Sequence, residues 1–257
     1  MYMGRILVTA MTKQWALAAV QEAKGLGVSA TIGPGEAGIE REMGPSETPD
    51  KRPGYILQVG HAHRKELDYW LIVRIRKGLT PVPTTSIFDV MPKEMIDHFV
   101  EIKGTPIQLF GDGYEKIVNV YGRTMYKIPR MDGFFYIEAR FGVARGVAGG
   151  NFLILAESLP SALLAGEVAS NAIKEVPYVW QFNPGGIAAS GTKVGGNIYK
   201  NAIATVNDKY CPCLLDKVKD TKIPRGVNCV YEVIINGLNL ESMKKAMKAG
   251  IEAATRV

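Results

Sequence analysis

One order of local signals occurs twice along the chain, and it limits the fold more than any single motif. In the first half, residues 5–10 (Arg-Ile-Leu-Val-Thr-Ala) form an apolar run of strand length. Residues 14–24 follow with Trp15, Ala18, Ala19 and Ala23 at helical spacing, and Gly25 closes that run. A second strand is predicted over 28–32, then a glycine- and proline-rich loop reaching Gly54, a strand over 55–60, and a helix over 67–76 with Leu67, Trp70, Leu71 and Ile75 recurring. The second half repeats the order. An apolar strand over 151–156 precedes a helix over 161–174 that turns Leu164, Val168 and Ile173 inward. A glycine-rich loop over 183–196, a strand over 230–235 and a helix over 240–255 complete it; Met243, Met247, Ile251 and Ala254 share one stripe of that helix. Asn239 is its predicted cap. Between the halves, Gly111-Asp-Gly113, Gly122 and Asp132-Gly133 are hairpin signals, and pieces 107–110, 117–121 and 124–128 suit an antiparallel set.

Strand, helix, loop, strand, helix, met twice, resembles the split β-α-β arrangement of ferredoxin-like folds. The expected class is α+β with antiparallel sheets in two lobes, an N-terminal lobe over 1–145 and a C-terminal lobe over 146–257. A hydrophobic share of 47% against 22% charged supplies core material and excludes a disordered chain. The net charge of +6 is spread among acidic residues rather than gathered in a patch, which argues against nucleic acid. It suits small anionic substrates. Cys211, Cys213 and Cys229 are too few and too odd in number for a disulfide framework, which points to a reducing compartment, and Cys211-Pro-Cys213 is too tight for zinc. The first strand starts at Arg5, where a signal peptide would need its apolar region. The longest uncharged run, 176–192, carries Gln181, Asn183, Pro184, Gly185 and Gly186, which do not suit a bilayer. A soluble, cytoplasmic protein with no membrane contact is expected.

Several motifs are decoys. Gly33-Pro-Gly35-Glu-Ala-Gly38 spells a dinucleotide fingerprint, yet the chain continues through Glu40, Arg41, Pro45 and Pro49 without the helix that would hold a pyrophosphate. His61 and His63 alternate after a strand without an evident third ligand, so they read as solvent histidines and no metal is expected. Two segments carry more chemistry. In Pro184-Gly-Gly-Ile-Ala-Ala-Ser-Gly-Thr-Lys193 the glycines allow close backbone approach, and Ser190, Thr192 and Lys193 can hold polar or anionic groups; a tight connection without a ligand explains the segment equally well. In Cys229-Val-Tyr-Glu-Val-Ile-Ile-Asn-Gly237, strand alternation sets Glu232 on one face with Val230, Ile234 and Asn236. A carboxyl in apolar surroundings keeps its proton more readily and can serve as a donor near neutral pH. The alternative is an exposed glutamate on an edge strand.

Blocks along essentially the whole chain carry a wider likeness: residues 5–16, Gly35-Glu-Ala-Gly-Ile-Glu40, Pro45-Ser-Glu-Thr-Pro-Asp50 with Arg52-Pro-Gly54, Gly146-Val-Ala-Gly-Gly-Asn-Phe152, Pro184–Ser190, Val230–Leu238 and Ala246–Ala254. Together they resemble the archaeal formylmethanofuran:tetrahydromethanopterin formyltransferase family. The resemblance implies a two-lobed α+β fold, homodimers or homotetramers, no tightly bound metal or prosthetic group, and formylmethanofuran and tetrahydromethanopterin as substrates. It implies transfer of the formyl group to N5 of the pterin, with Glu232 as the acid/base. Loop position then assigns Gly185, Gly186, Ser190, Thr192, Lys193, Glu47, Arg52 and Lys13 to substrate binding. The family usually carries a segment before the first strand and a strand-forming tail after the last helix; with Val257 as the last residue, an open sheet edge is expected in the second lobe. Two other readings stay open: a non-catalytic subunit of a formyltransferase/hydrolase complex, or a carrier-binding paralogue without turnover.

Overall fold

The first predicted strand becomes part of β1 (Tyr2–Thr9), whose last seven residues are buried on both faces. A computed structural model of the chain describes residues 1–257 apart from residue 26 and residues 28–32. The strand predicted over 28–32 lies outside the described residues. The chain divides into two compact units, Met1–Gly146 and Val147–Val257.

In the first unit, β1 leads into α1 (Lys13–Lys24), where the Thr12 side chain accepts a hydrogen bond from the Trp15 backbone N–H. Ala16, Ala19, Val20 and Ala23 face inward, while Trp15, expected on that stripe, is 46% exposed. The free carbonyls at the end of α1 are met by Arg74, whose Nη1 donates to the oxygens of Ala23, Lys24 and Gly25 at 2.6, 3.3 and 3.1 Å. Next comes β2 (Glu36–Met43), inside a stretch the sequence assigned to loop. Its polar residues hid it. Glu40 points inward and is 2% exposed, because Arg5 of β1 donates to both its oxygens at 2.7 and 2.9 Å and Gln58 donates at 2.6 Å. An ion pair inside the sheet breaks the alternation a strand search relies on.

β3 (Gly54–His61), α2 (Arg64–Arg74) with one π turn over Ile75–Leu79, and β4 (Ser86–Asp89) follow. The order β2–β3–β1–β4, antiparallel throughout, is the ferredoxin-like arrangement. An extension is added to it: β5 (Ile96–Glu101), α3 (Pro106–Leu109), β6 (Lys116–Val120), β7 (Arg123–Arg130), β8 (Gly133–Glu138) and β9 (Arg140–Arg145). Residues 107–110, expected as a strand, belong to α3 and its C-cap, because Thr105 accepts from the Ile107 N–H and Pro106 opens the turn. The β6–β7 hairpin turns on Tyr121 and Gly122, both with positive φ as a type I′ turn requires. Strand β8 pairs parallel with β4, and β9 pairs with β1 and β5.

The second unit holds β10 (Val147–Ala156), α4 (Leu159–Lys174), β11 (Val179–Trp180), the small hairpin β12 (Thr192–Val194) with β13 (Ala204–Val206), β14 (Cys229–Gly237) and α5 (Leu240–Ala254). Its sheet runs β10–β14–β11, a split β-α-β with β14 inserted antiparallel between the other two. Val233 and Ile235 of β14 pack in one cluster with Ala165, Ala169, Met243 and Ala246 of the two helices. The inner face of α4 is made of small residues, Ala162, Ala165, Gly166, Ala169 and Ser170, together with Ile173. Leu164, expected inward, is 50% exposed, since α4 lies close against α5 and only small side chains fit between them. Ile251 of α5 likewise turns outward at 42% exposure. Asn239 caps α5 as expected, accepting from the Ser242 N–H at 2.8 Å. Among the described residues β10 pairs with β14 alone, so its outer edge is open.

Candidate active site

Strand alternation on β14 sends Val233 and Ile235 to the helices and Glu232, Ile234 and Asn236 to the opposite face. Glu232 is not on an edge. On one side β14 pairs with β10; on the other, Glu232 and Ala188 exchange backbone hydrogen bonds of 2.9 and 2.7 Å. The alternative of an exposed edge-strand glutamate therefore fails, and the side chain is half-buried. Leu153 lies directly opposite Glu232, and Asn151 lies one step further along the same face of β10. From there Asn151 Nδ2 donates to Glu232 Oε1 at 2.6 Å. The bond from Asn151 is the one side-chain hydrogen bond of the Glu232 carboxylate among the described residues. A recess of about 260 Å³ is lined by Glu232 together with Leu153, Ser190, Tyr210 and Val230, with the cysteines in its wall.

The glycine loop is built to place Ala188 against Glu232. Gly186 has φ of 85°, and a Cβ there would lie 2.1 Å from Ser170 Oγ. Ser170 donates to Gln181 Oε1 at 3.0 Å, and Gln181 Nε2 donates to the Gly186 carbonyl at 2.9 Å, all buried. Gly186 is thus a packing requirement, whereas Gly185 faces open space. Of the loop's polar residues, Ser190 reaches the recess. Thr192 sits exposed on β12 opposite Val206. Lys193 turns to Asp208 at 2.5 Å and lines a different recess. The hydrogen bond from Lys193 holds the Asp208 carboxyl below its usual range.

Lys13, Glu47 and Arg52 belong to the first unit. Lys13 pairs with Glu42 at 2.6 Å, a bond that raises the ammonium's pKa and lowers that of the carboxyl. Glu47 accepts from the Gly44 N–H at 2.9 Å and from Arg41 at 3.1 Å, with Gly44 the larger cause of its lowered pKa. It closes the turn over Pro45–Glu47. Arg52 donates to Asp50 at 2.8 Å, the Thr84 carbonyl at 2.5 Å, Ser86 at 2.7 Å and Thr9 at 3.2 Å. Four of its five N–H groups are committed within the unit, tying loop to strands.

Sequence reasoning missed Asn151, whose role depends on strand register, and the convergence of the cysteines on the recess. It also missed Asp89, whose carboxyl is pushed up to about 6, chiefly by burial and opposed by N–H donors from Met91 and Gly142. No sequence signal marks that burial. His61 Nδ1 accepts from the His63 N–H at 3.0 Å, and no group of three or more metal-ligating side chains exists among the described residues.

A carboxylate held by an amide through one oxygen and standing in the wall of a recess has the chemistry to take up and return a proton. A family profile described as formylmethanofuran-tetrahydromethanopterin formyltransferase matches residues 1–130, and one described as the proximal lobe of the same enzyme matches residues 133–257. The formyltransferase of Methanocaldococcus jannaschii is 49% identical over 100% of this chain and 85% of its own length. The solved enzyme from Methanosarcina barkeri superposes with a TM-score of 0.95 at 44% identity, over 100% of this chain and 85% of that one. The formyltransferase/hydrolase complex of Methylorubrum extorquens, solved with methylofuran, contains a chain that matches with a TM-score of 0.91 at 32% identity, over 99% of this chain and 82% of that one.

Proposed function

We propose a function from one premise: the chain belongs to the formylmethanofuran-tetrahydromethanopterin formyltransferase family. It is a formyltransferase of one-carbon metabolism that moves a formyl group from formylmethanofuran to tetrahydromethanopterin.

Our mechanistic reading assigns the proton work to Glu232. N5 of the pterin attacks the formyl carbon of a formamide, and the departing amine is a poor leaving group until protonated. One carboxyl able to reach both nitrogens takes the proton from the attacker and gives it to the leaving group. The observation that carries this reading is Glu232 itself, held by Asn151 through one carboxylate oxygen and standing in the wall of the recess. We assign Ser190, in the wall of the recess, to donate to the formyl oxygen as charge gathers there. The recess of about 260 Å³ is below the roughly 300–1,000 Å³ of pockets that enclose a whole ligand, so it takes the reacting ends of the carriers. Gly185 bounds the loop on its open side, Thr192 extends it, and Gly186, Glu47 and Arg52 act by fixing loop shape. Lys13 and Lys193 stand in ion pairs open enough to exchange a carboxylate partner for an anionic group on a carrier.

Replacing Glu232 with Gln tests the assignment. Formyl transfer should fall about a hundredfold or more with folding intact by circular dichroism. Turnover near that of the parent protein removes Glu232 from the mechanism. We further propose that the protein works in the cytoplasm as a homo-oligomer. No helix among the described residues is long and apolar enough to cross a membrane. The hairpin arm exposes Val194, Ile198, Tyr199 and Ile203 at 84, 82, 72 and 62%, an apolar surface suited to a second copy.

A further inference from the structure

All three cysteines of the chain stand in the wall of the Glu232 recess. Cys211 and Cys213 flank Pro212 in a single 3₁₀ turn, Pro212–Leu214, and Cys229 opens β14 three residues before Glu232. They come from two separate segments, so the fold and not sequence spacing gathers them. All are free thiols: Cys213 is exposed, and Cys211 and Cys229 are half-buried. Cys213 shares one recess wall with Cys211 and Cys229. Burial, the main cause, holds both inner thiols above the ordinary range, with the Cys213 thiol adding to it and backbone N–H donors opposing it. The inner pair is therefore slow to react from solvent, while the outer thiol is open to it.

We propose that Cys213 is a thiol-modification site at the mouth of the Glu232 recess, captured by small disulfides and resolved by a neighbouring cysteine. The Cys213 thiolate attacks one sulfur of a low-molecular-weight disulfide, forming a mixed disulfide and releasing one thiolate. Cys211 or Cys229 then loses its proton and attacks the Cys213 sulfur, releasing the second thiolate. Two protein thiols are oxidised by two electrons in total, and the small disulfide is reduced by the same two. Either product changes a wall of a recess that holds only about 260 Å³, so access to Glu232 closes while the modification lasts. Metal capture by the trio is disfavoured, because the described residues hold no group with metal-ligating geometry. The consequence for activity rests on the formyl-transfer reading; the chemistry at sulfur does not.

The test uses the full, reduced protein and 2-hydroxyethyl disulfide. Peptide mass spectrometry should show the adduct first on Cys213, followed by an intramolecular disulfide that includes Cys213. Formyl transfer should fall at least tenfold on treatment and return with dithiothreitol. In Cys213→Ser, the ratio of treated to untreated activity should stay near one. Labelling of Cys211 or Cys229 ahead of Cys213 overturns the inference, and so does equal inactivation of Cys213→Ser. If the reduced protein transfers no formyl group while Cys213 still cross-links, the thiol site stands and the formyl-transfer reading fails.

Discussion

Replacing Gly186 with Ala puts the loop that holds Glu232 under a defined load. The new Cβ would lie 2.1 Å from Ser170 Oγ and 2.7 Å from Gln181 Oε1, at a backbone φ of 85°. An L-residue with a side chain held in left-handed backbone costs about 1–2 kcal/mol. Relieving the clash moves the Ser170 hydroxyl, which breaks its 3.0 Å bond to Gln181 and disturbs the 2.9 Å bond from Gln181 to the Gly186 carbonyl. A buried polar group left unpaired costs about 1–3 kcal/mol. The sum is about 2–5 kcal/mol, measured as a lower urea midpoint at constant slope. Gly185→Ala is the control, because its φ of 66° carries the backbone cost alone with nothing within 4 Å of the new Cβ. Formyl transfer should fall further in Gly186→Ala than in Gly185→Ala, since the Ala188–Glu232 pairing hangs from the damaged network. Equal stability of the two variants would refute the claim that this buried network holds the loop.

The remaining predictions address the carboxylates. Asn151→Ala removes the 2.6 Å bond to Glu232 and should lower kcat about tenfold with KM unchanged, as loss of a charge-assisted positioning bond would; a raised KM at constant kcat would assign Asn151 to substrate binding. Arg5→Met leaves Glu40 buried and without its main partner, so thermal unfolding should report a loss of about 3–5 kcal/mol, most of it regained in the double variant Arg5→Met/Glu40→Leu. Failure of the double variant to recover would mean the pair stabilises beyond its own compensation. Asp89 has its carboxyl pKa raised from 3.8 to about 6, so the folded protein binds a proton between those values that the unfolded chain has released. Its contribution is therefore fully favourable below about pH 4 and is lost as pH rises through 6, by about 3 kcal/mol. Asp89→Asn should lack that loss, and identical pH–stability curves for the parent and Asp89→Asn would reject the burial argument.

Where burial is uniform, the sequence is legible. The apolar stretches 6–8 of β1 and 55–57 of β3 show because both faces are covered, and Asn239 announces α5 because a cap is a local event. Where burial is satisfied by polar pairing, it is not. β2 was concealed by Glu40, which is inside the sheet only because Arg5 and Gln58 meet it from two other strands. Helix α4 was read with Leu164, Val168 and Ile173 inward; Ile173 is buried, yet the nearness of α5 selects alanine, glycine and serine for the rest of the inner face, and that nearness is not written in α4 itself. The face carrying Glu232 was correctly read from alternation, while its partner Asn151 is set by the register of β10 on β14, a pairing of residues 81 positions apart.

The charged loop residues show where the same reasoning overreaches. Arg52 and Lys193 sit in glycine- and proline-rich loops and read as anion holders, because flexible backbone near a cation is what a phosphate or carboxylate site requires. A cation recruits a ligand only with donors it has not already committed. Arg52 has four hydrogen bonds within its own unit, so displacing them for an anion would leave Thr84, Ser86, Thr9 and Asp50 without it. Lys193 has one exchangeable partner, Asp208, in a pair whose two side chains are 27 and 20% exposed. The two residues look alike in sequence and differ in what an incoming anion must break: a four-bond brace in one case, a single ion pair in the other. That difference predicts which substitution reports on binding. Lys193→Ala should raise KM for an anionic carrier with little change in unfolding, whereas Arg52→Ala should lower the unfolding midpoint before any effect on KM can be read. A stable Arg52→Ala protein with a raised KM would show that the brace yields to the ligand after all.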